Sequence, residues 1–194
     1  MTLVDLEPAT RRLAALIEDV PDGRLDQPTP CPAYALGGLL DHIGGLSLAF
    51  TAAARKDTDD LGSQAPSGDA SRLGEDWRIR IPRDLETLAE VWRDPTAWSG
   101  MTRAGGVDLP GEIAGVVALD EVVVHGWDLA RATGQPYECD KSTLEVVLGF
   151  VGQFADQPEA RQGLFGPVVG VPPTAPLLDR VIGLTGRDPA WSPR

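Results

Sequence analysis

The sequence predicts an all-α protein, an up-down helical bundle with a short C-terminal helical and loop extension. Three observations predict it. Apolar residues recur at helical spacing in several long stretches. Clusters of Pro and Gly separate those stretches, and the one extended signal is the short run Val107-Asp108-Leu109. A chain of 194 residues is expected to fold as one domain over 1–194, with the extension from about 157 to 194.

The first helix is expected from Val4 to about Val20, with Leu6, Leu13, Leu16, Ile17 and Val20 on its apolar face; Pro21-Asp22-Gly23 stops it. Residues 24–34 hold Pro28, Pro30 and Pro32 and form an extended connector. A second helix runs from Leu36 to Arg55 on the stripe Leu36, Leu39, Leu40, Ile43, Leu46 and Phe50. Its glycines at 37, 38, 44 and 45 each cost roughly 1 kcal/mol relative to Ala, which close helix packing offsets. The polar stretch 57–71 is expected to be a surface loop, and a third helical stretch covers about 70–93 with a kink or break at Pro82. The fourth helix, about Pro110 to Ala132, has Pro at its start and Gly134 past its end. Ser142-Thr143-Leu144-Glu145 has the capping-box pattern and opens a fifth helix towards Ala155. Residues 163–173 form a connector, and a short helix from Ala175 to Leu184 is closed by Gly186.

Bulk properties exclude several classes. The net charge of −12 argues against nucleic acid and anionic membrane surfaces, which demand clustered cations. Leu36 to Ala54 is the most lipid-like run, but Asp41, His42 and four glycines mark it as a core helix rather than a membrane span. No signal peptide is expected at Met1-Thr2-Leu3-Val4-Asp5, so a cytoplasmic location follows. Cys31 and Cys139 make neither a disulfide framework nor a zinc-ligand pair and are read as free thiols. Fifteen Arg against two Lys, with abundant Ala, Gly, Pro and Asp, is the bias of a GC-rich, actinobacterial-type coding sequence. Monomer and homodimer are both compatible with this composition.

The two histidines, His42 and His125, both fall mid-helix. Glu121 and His125 are spaced i, i+4 and share one helical face. Apolar Leu119, Val122, Val123 and Val124 surround them, and an ionised Glu in that setting is costly unless it meets a cation. If the helix carrying His42 packs there, His42, Glu121 and His125 form a three-ligand site for a divalent metal, zinc first and iron or nickel as alternatives. A surface Glu beside a hydrogen-bonded core His is the competing account. Asp128, three residues beyond His125, is a candidate to orient a ligand or act as a catalytic base; an ion pair with Arg131 is the simpler expectation. Cys31 is expected to lie too far from the ion to ligate it, counting about 1.5 Å of rise per residue, and to be a buried thiol. Tyr34 and Trp127 are core aromatics first and pocket-lining candidates second.

At these residues the chain resembles a known family. Thr29-Pro-Cys-Pro-Ala-Tyr34, Leu39-Leu-Asp-His-Ile43 and Glu121-Val-Val-Val-His-Gly-Trp-Asp-Leu-Ala-Arg-Ala-Thr-Gly134 look like the mycothiol-dependent maleylpyruvate isomerase N-terminal family, part of the DinB-like superfamily of metal-binding four-helix bundles. Leu164-Phe-Gly-Pro, Ala175-Pro-Leu-Leu-Asp-Arg and Gly186-Arg-Asp-Pro look like an actinobacterial metal-binding branch of it. The resemblance implies a DinB-like up-down four-helix bundle and a divalent metal, usually zinc, held by His42, Glu121 and His125. It further implies a low-molecular-weight, mycothiol-type thiol as cosubstrate for isomerisation or S-transfer, with a small thiol or organic acid as partner. Where the family often reads Trp-Thr-Val-Arg-Asp-Leu-Leu, this chain has Tyr34-Ala35-Leu36-Gly37-Gly38, and Ala35 cannot cap a helix as Thr does. At 194 residues the chain is also expected to lack the extra C-terminal domain of the isomerase.

Three functions compete. The first is a metal-dependent, thiol-using transferase or isomerase; the second is a non-catalytic module whose ion clips two helices together; the third is a bundle with an empty former site. The fold alone does not choose among them.

Overall fold

The computed structural model describes residues 4–57 and 67–193. Four helices build the bundle: α1 (Glu7–Glu18), α2 (Leu36–Arg55), α3 (Trp77–Val91) and α4 (Gly111–Thr133). After them come α5 (Lys141–Val151), the single-turn α6 (Pro158–Arg161) and α7 (Leu177–Leu184). The principal packed pairs are α1 with α3, α3 with α2, α2 with α4 and α4 with α1. Helices α1 and α2 therefore stand at opposite corners, and the Pro-rich connector between them must cross one end of the bundle. That crossing brings Cys31 and Tyr34 to the start of α2.

The core follows from the apolar stripes. Leu13 and Ile17 of α1, Leu36, Leu39, Leu40 and Ile43 of α2, Ile81, Leu85 and Leu88 of α3, and Leu119 and Val123 of α4 are all at most 2% exposed. Each such side chain contributes about 1.5–3 kcal/mol by leaving water. Helix α2 is long and apolar enough to cross a membrane by composition, but 83% of its most apolar window is buried within this fold.

Several local expectations change. Helix α3 starts at Trp77, after a separate 3-10 turn at Ala70–Arg72, and runs unbroken through Pro82. Pro82 forfeits one ladder hydrogen bond, while Ile81 and Leu85 beside it are fully buried, so packing overrides the local penalty. The loop expected over 57–71 falls largely on residues outside those described. The expected capping box at Ser142 does not form: Asp140 is the N-cap, α5 begins at Lys141, and no side chain caps it. The extended run at 107–109 belongs to a hairpin, β1 (Met101–Ala104) with β2 (Val107–Pro110), antiparallel with Met101 opposite Pro110 and Ala104 opposite Val107. Gly105 and Gly106 form its two-residue turn with φ of 58° and 80°, a backbone that L side chains rarely adopt. Thr102 Oγ1 ties the hairpin to α2 by donating to the Ala53 carbonyl at 2.6 Å.

The C-terminal segment folds back over the bundle. Helix α7 packs on α5, and α5 on α4. The buried Arg161 donates to the Gly166 carbonyl through Nε at 3.1 Å and to the Leu184 carbonyl through Nη2 at 2.6 Å. Arg131 of α4 donates to the backbone carbonyls of Pro189 and Trp191. These bonds fix residues 185–191 beside α4.

Candidate metal centre

Helices α2 and α4 pack against each other and bring His42, Glu121 and His125 together. Their donor atoms all lie within 4.8 Å of one another. His125 Nε2 stands 3.0 Å from Glu121 Oε2, and His42 Nε2 stands 3.9 Å from the same oxygen. The two imidazole rings meet edge to face with centroids 4.9 Å apart. Both histidines are buried, while 31% of the Glu121 side chain is exposed, on the cavity side.

This donor set fits a divalent ion. Two ligands each about 2.1 Å from a tetrahedral zinc stand about 3.4 Å apart, close to the spacings observed. The protonation of the metal-free site points the same way. Burial works against a charged His125, but hydrogen bonds to Asp128 and Glu121 and their charges raise it to about 9. Burial also opposes ionisation of Glu121, yet its bonds to His125 and His42 hold it well below the usual carboxylate range. A proton shared between imidazole and carboxylate sits where a cation can replace it.

Asp128 lies directly behind His125. Its Oδ2 is 2.9 Å from His125 Nδ1, and its side chain has no exposed surface. Arg187 grips both of its oxygens, Nε lying 2.9 Å from Oδ1 and Nη2 2.9 Å from Oδ2. Burial raises the Asp128 pKa, but Arg187 and His125 outweigh it and keep the group ionised. One expectation is thereby corrected. Arg131 does not pair with Asp128, because its guanidinium is drawn to the tail carbonyls. Both Asp128 oxygens are engaged, by His125 and Arg187.

Cys31 is nearer than a count along the chain suggests. Its sulfur lies within 4.8 Å of donor atoms of His125 and Asp128, although it does not join the cluster with His42 and Glu121. The crossing connector is responsible: Thr29 Oγ1 donates to the Cys31 and Tyr34 carbonyls at 3.0 and 2.8 Å, folding the Pro-rich strand over the site. Burial, followed by the Asp128 charge, raises the Cys31 pKa, so the thiol stays protonated. Tyr34 packs its ring on His42 at 4.7 Å, whereas Trp127 is a core residue.

A cavity of about 350 Å³ opens beside the cluster. Cys31, Tyr34, His42, Glu121 and His125 line one side, and Leu164, Pro167, Thr185 and Arg187 of the C-terminal segment line the other. Two functional candidates escaped the sequence reading. Arg187 is 59 residues from Asp128 along the chain, and its only local signal is the Gly186-Arg-Asp-Pro motif. Asp120 also lines the cavity, is 3% exposed, and its Oδ1 has no partner in the protein. Burial, then the Glu121 charge, pushes the Asp120 carboxyl up to about 8. A carboxylate amid Leu119, Val122 and Val123 was the available signal for it.

Comparison with known proteins agrees with this fold. Two uncharacterized proteins of Mycobacterium tuberculosis, Rv0738 and MT0763, are each 26% identical over 128 residues, covering 66% of this chain. The chain spans 64% of the length of these relatives. The crystal structure of the mycothiol-dependent maleylpyruvate isomerase superposes with a TM-score of 0.58 at 14% identity, covering 77% of this chain and 67% of the other. A histidine-to-alanine mutant of that enzyme gives 0.57 at 16% identity with the same coverage. The bundle is thus DinB-like in architecture. The model of the mycothiol maleylpyruvate isomerase N-terminal domain matches residues 6–130, which cover α1 to α3, α4 up to its last turn and every candidate ligand, and the chain belongs to that family.

Proposed function

We propose that this chain binds a divalent metal, zinc first, through His42, Glu121 and His125, and uses the site to activate a low-molecular-weight thiol for isomerisation or S-transfer. The observation that carries this reading is the convergence of two imidazoles and a carboxylate at the wall of a 350 Å³ cavity. A purely structural ion needs no such cavity and is normally closed off by a fourth protein ligand. Family membership supports a thiol as the cosubstrate, and the solved relative is named for mycothiol dependence.

When bound, the ion would lower the pKa of a thiol entering the cavity so that the thiolate prevails near neutral pH. The protein's own residues do the rest. Asp128 accepts a hydrogen bond from His125 Nδ1–H, which leaves the Nε2 lone pair for the ion, and Arg187 holds Asp128 in register. Tyr34 fixes the His42 ring from the opposite face. Leu164 and Pro167 supply an apolar wall to the cavity. Cytoplasmic residence suits such a thiol, which a reducing compartment keeps unoxidised.

Elemental analysis of untagged protein tests the reading. About one equivalent of zinc, iron or nickel is expected in the parent chain and none in His125→Ala. No stoichiometric metal after reconstitution would sink it. The competing structural reading draws on the ligands' origin in two separate helices, α2 and α4; it predicts metal without thiol binding.

A further inference from the structure

Asp120 is a polar group of the cavity that neither the candidate ligands nor the Asp128–Arg187 pair engages. It sits one residue before Glu121, so its side chain leaves α4 about 100° around the helix from the ligand. It nevertheless lines the same cavity. At 3% exposure, with Oδ1 lacking any protein partner, it breaks the rule that buried polar atoms are hydrogen-bonded. Leu119 and Val123 beside it are completely buried, and an apolar residue at 120 would suit that packing better.

The other polar side chains of the cavity are already engaged. Arg187 is occupied by Asp128. Thr185 Oγ1 donates to the Ile182 carbonyl at 2.8 Å. Among the described residues lining the cavity, Arg187 is the one Lys or Arg, so no uncommitted cation awaits a carboxylate. Among its lining groups the cavity offers a ligand a carboxyl acceptor at Asp120 and apolar surface at Leu164, Pro167 and Val124.

We propose that Asp120 is a specificity-determining residue that selects, among thiols, those carrying a hydroxyl or N–H donor close to the sulfur, over apolar thiols and thiols bearing a carboxylate. This inference rests on the thiol-binding reading above. A carboxyl oxygen accepts such a donor in either protonation state, so the selection depends on placement rather than on charge. Discrimination by a buried polar group is strong because the ligand lacking the donor leaves that group unpaired.

The test uses the full chain loaded with cobalt(II) and titrated with β-mercaptoethanol, its O-methyl ether and β-mercaptopropionate, following the sulfur-to-cobalt charge-transfer band. The ether carries a methyl group in place of the hydroxyl proton and so lacks the donor while keeping the oxygen. β-Mercaptoethanol is expected to bind about tenfold more tightly than the ether in the parent protein, one net hydrogen bond's worth, with β-mercaptopropionate the weakest. In Asp120→Leu the ratio of alcohol to ether should collapse to about one, and in Asp120→Asn, which keeps an acceptor oxygen, it should stay within about threefold of the parent. Equal binding of alcohol and ether by the parent protein, or preference for the carboxylate thiol, overturns the role of Asp120 while leaving thiol binding intact. Absence of the band with every thiol overturns the thiol reading itself. Should Asp120→Leu fail to fold, the comparison of alcohol with ether in the parent still decides.

Discussion

Arg187 donates to both carboxylate oxygens of Asp128 across 59 residues of chain, in a place where Asp128 has no exposed surface. This pair links the C-terminal segment to the candidate metal centre, because Asp128 in turn holds His125 Nδ1.

Removing Arg187 should therefore act on two quantities. Arg187→Met leaves the buried Asp128 carboxylate with His125 as its remaining partner and should cost about 3 kcal/mol of stability. It should also weaken zinc binding about 10–100-fold through a misoriented His125. Adding Asp128→Leu should recover most of the stability but not the zinc affinity. Thermal melts and a competitive chelator titration measure the two effects, and parallel recovery of both would refute the positioning role.

Metal removal should lower the melting temperature. A ligand present at 100 to 1,000 times its Kd stabilises by about 2.7–4.1 kcal/mol. For a chain of this size that corresponds to about 5–15 °C. Calorimetry before and after dialysis against a chelator checks this, and His125→Ala should melt at one temperature under both conditions. A chelation shift that persists in His125→Ala would place the ion elsewhere.

Zinc affinity should rise with pH. Burial opposes the His125 charge, but Asp128 and Glu121 raise it from 6.5 to about 9, so its clamp stabilises the metal-free fold fully below about 6.5. That stabilisation is lost as pH rises through about 9. Zinc must displace the same proton, so affinity should climb about tenfold per pH unit from pH 7 to 9 and then level off. Competitive titrations at three pH values suffice; a flat profile over that range would show that His125 is not a ligand or is already neutral.

Gly186→Ala should loosen the C-terminal wall of the cavity. Gly186 has φ +87°, and a Cβ there would stand 2.6 Å from Gly166 Cα. The strain should cost about 1–3 kcal/mol and raise hydrogen exchange in residues 163–187 before the bundle helices respond. Uniform exchange across the chain in the variant would mean that the segment is not an independently opening unit.

Much of this protein is set by local sequence. The spacing of Leu36, Leu39, Leu40 and Ile43 dictates one buried face of α2, and i, i+4 geometry puts Glu121 and His125 on one face of α4, because both depend only on helical periodicity. Gly134 ends α4 at φ +74° for the same local reason. The Gly105-Gly106 pair also carried a hairpin signal, legible once a partner strand at Met101 is sought.

Tertiary structure decided the rest. Whether His42 meets Glu121 depends on which corners of the bundle α2 and α4 occupy, and no periodicity encodes that choice. Pro82 stays helical because the flanking Ile81 and Leu85 are buried on both sides of it. Cys31 reaches the site because the first connector crosses the bundle end, so distance along the chain misjudges distance in space. The partner of Asp128 is Arg187 rather than Arg131 because the folded tail offers backbone carbonyls to Arg131 and brings the Arg187 guanidinium to the sealed carboxylate of α4. Pairings of buried charges are chosen by desolvation, which exists only once the chain has packed.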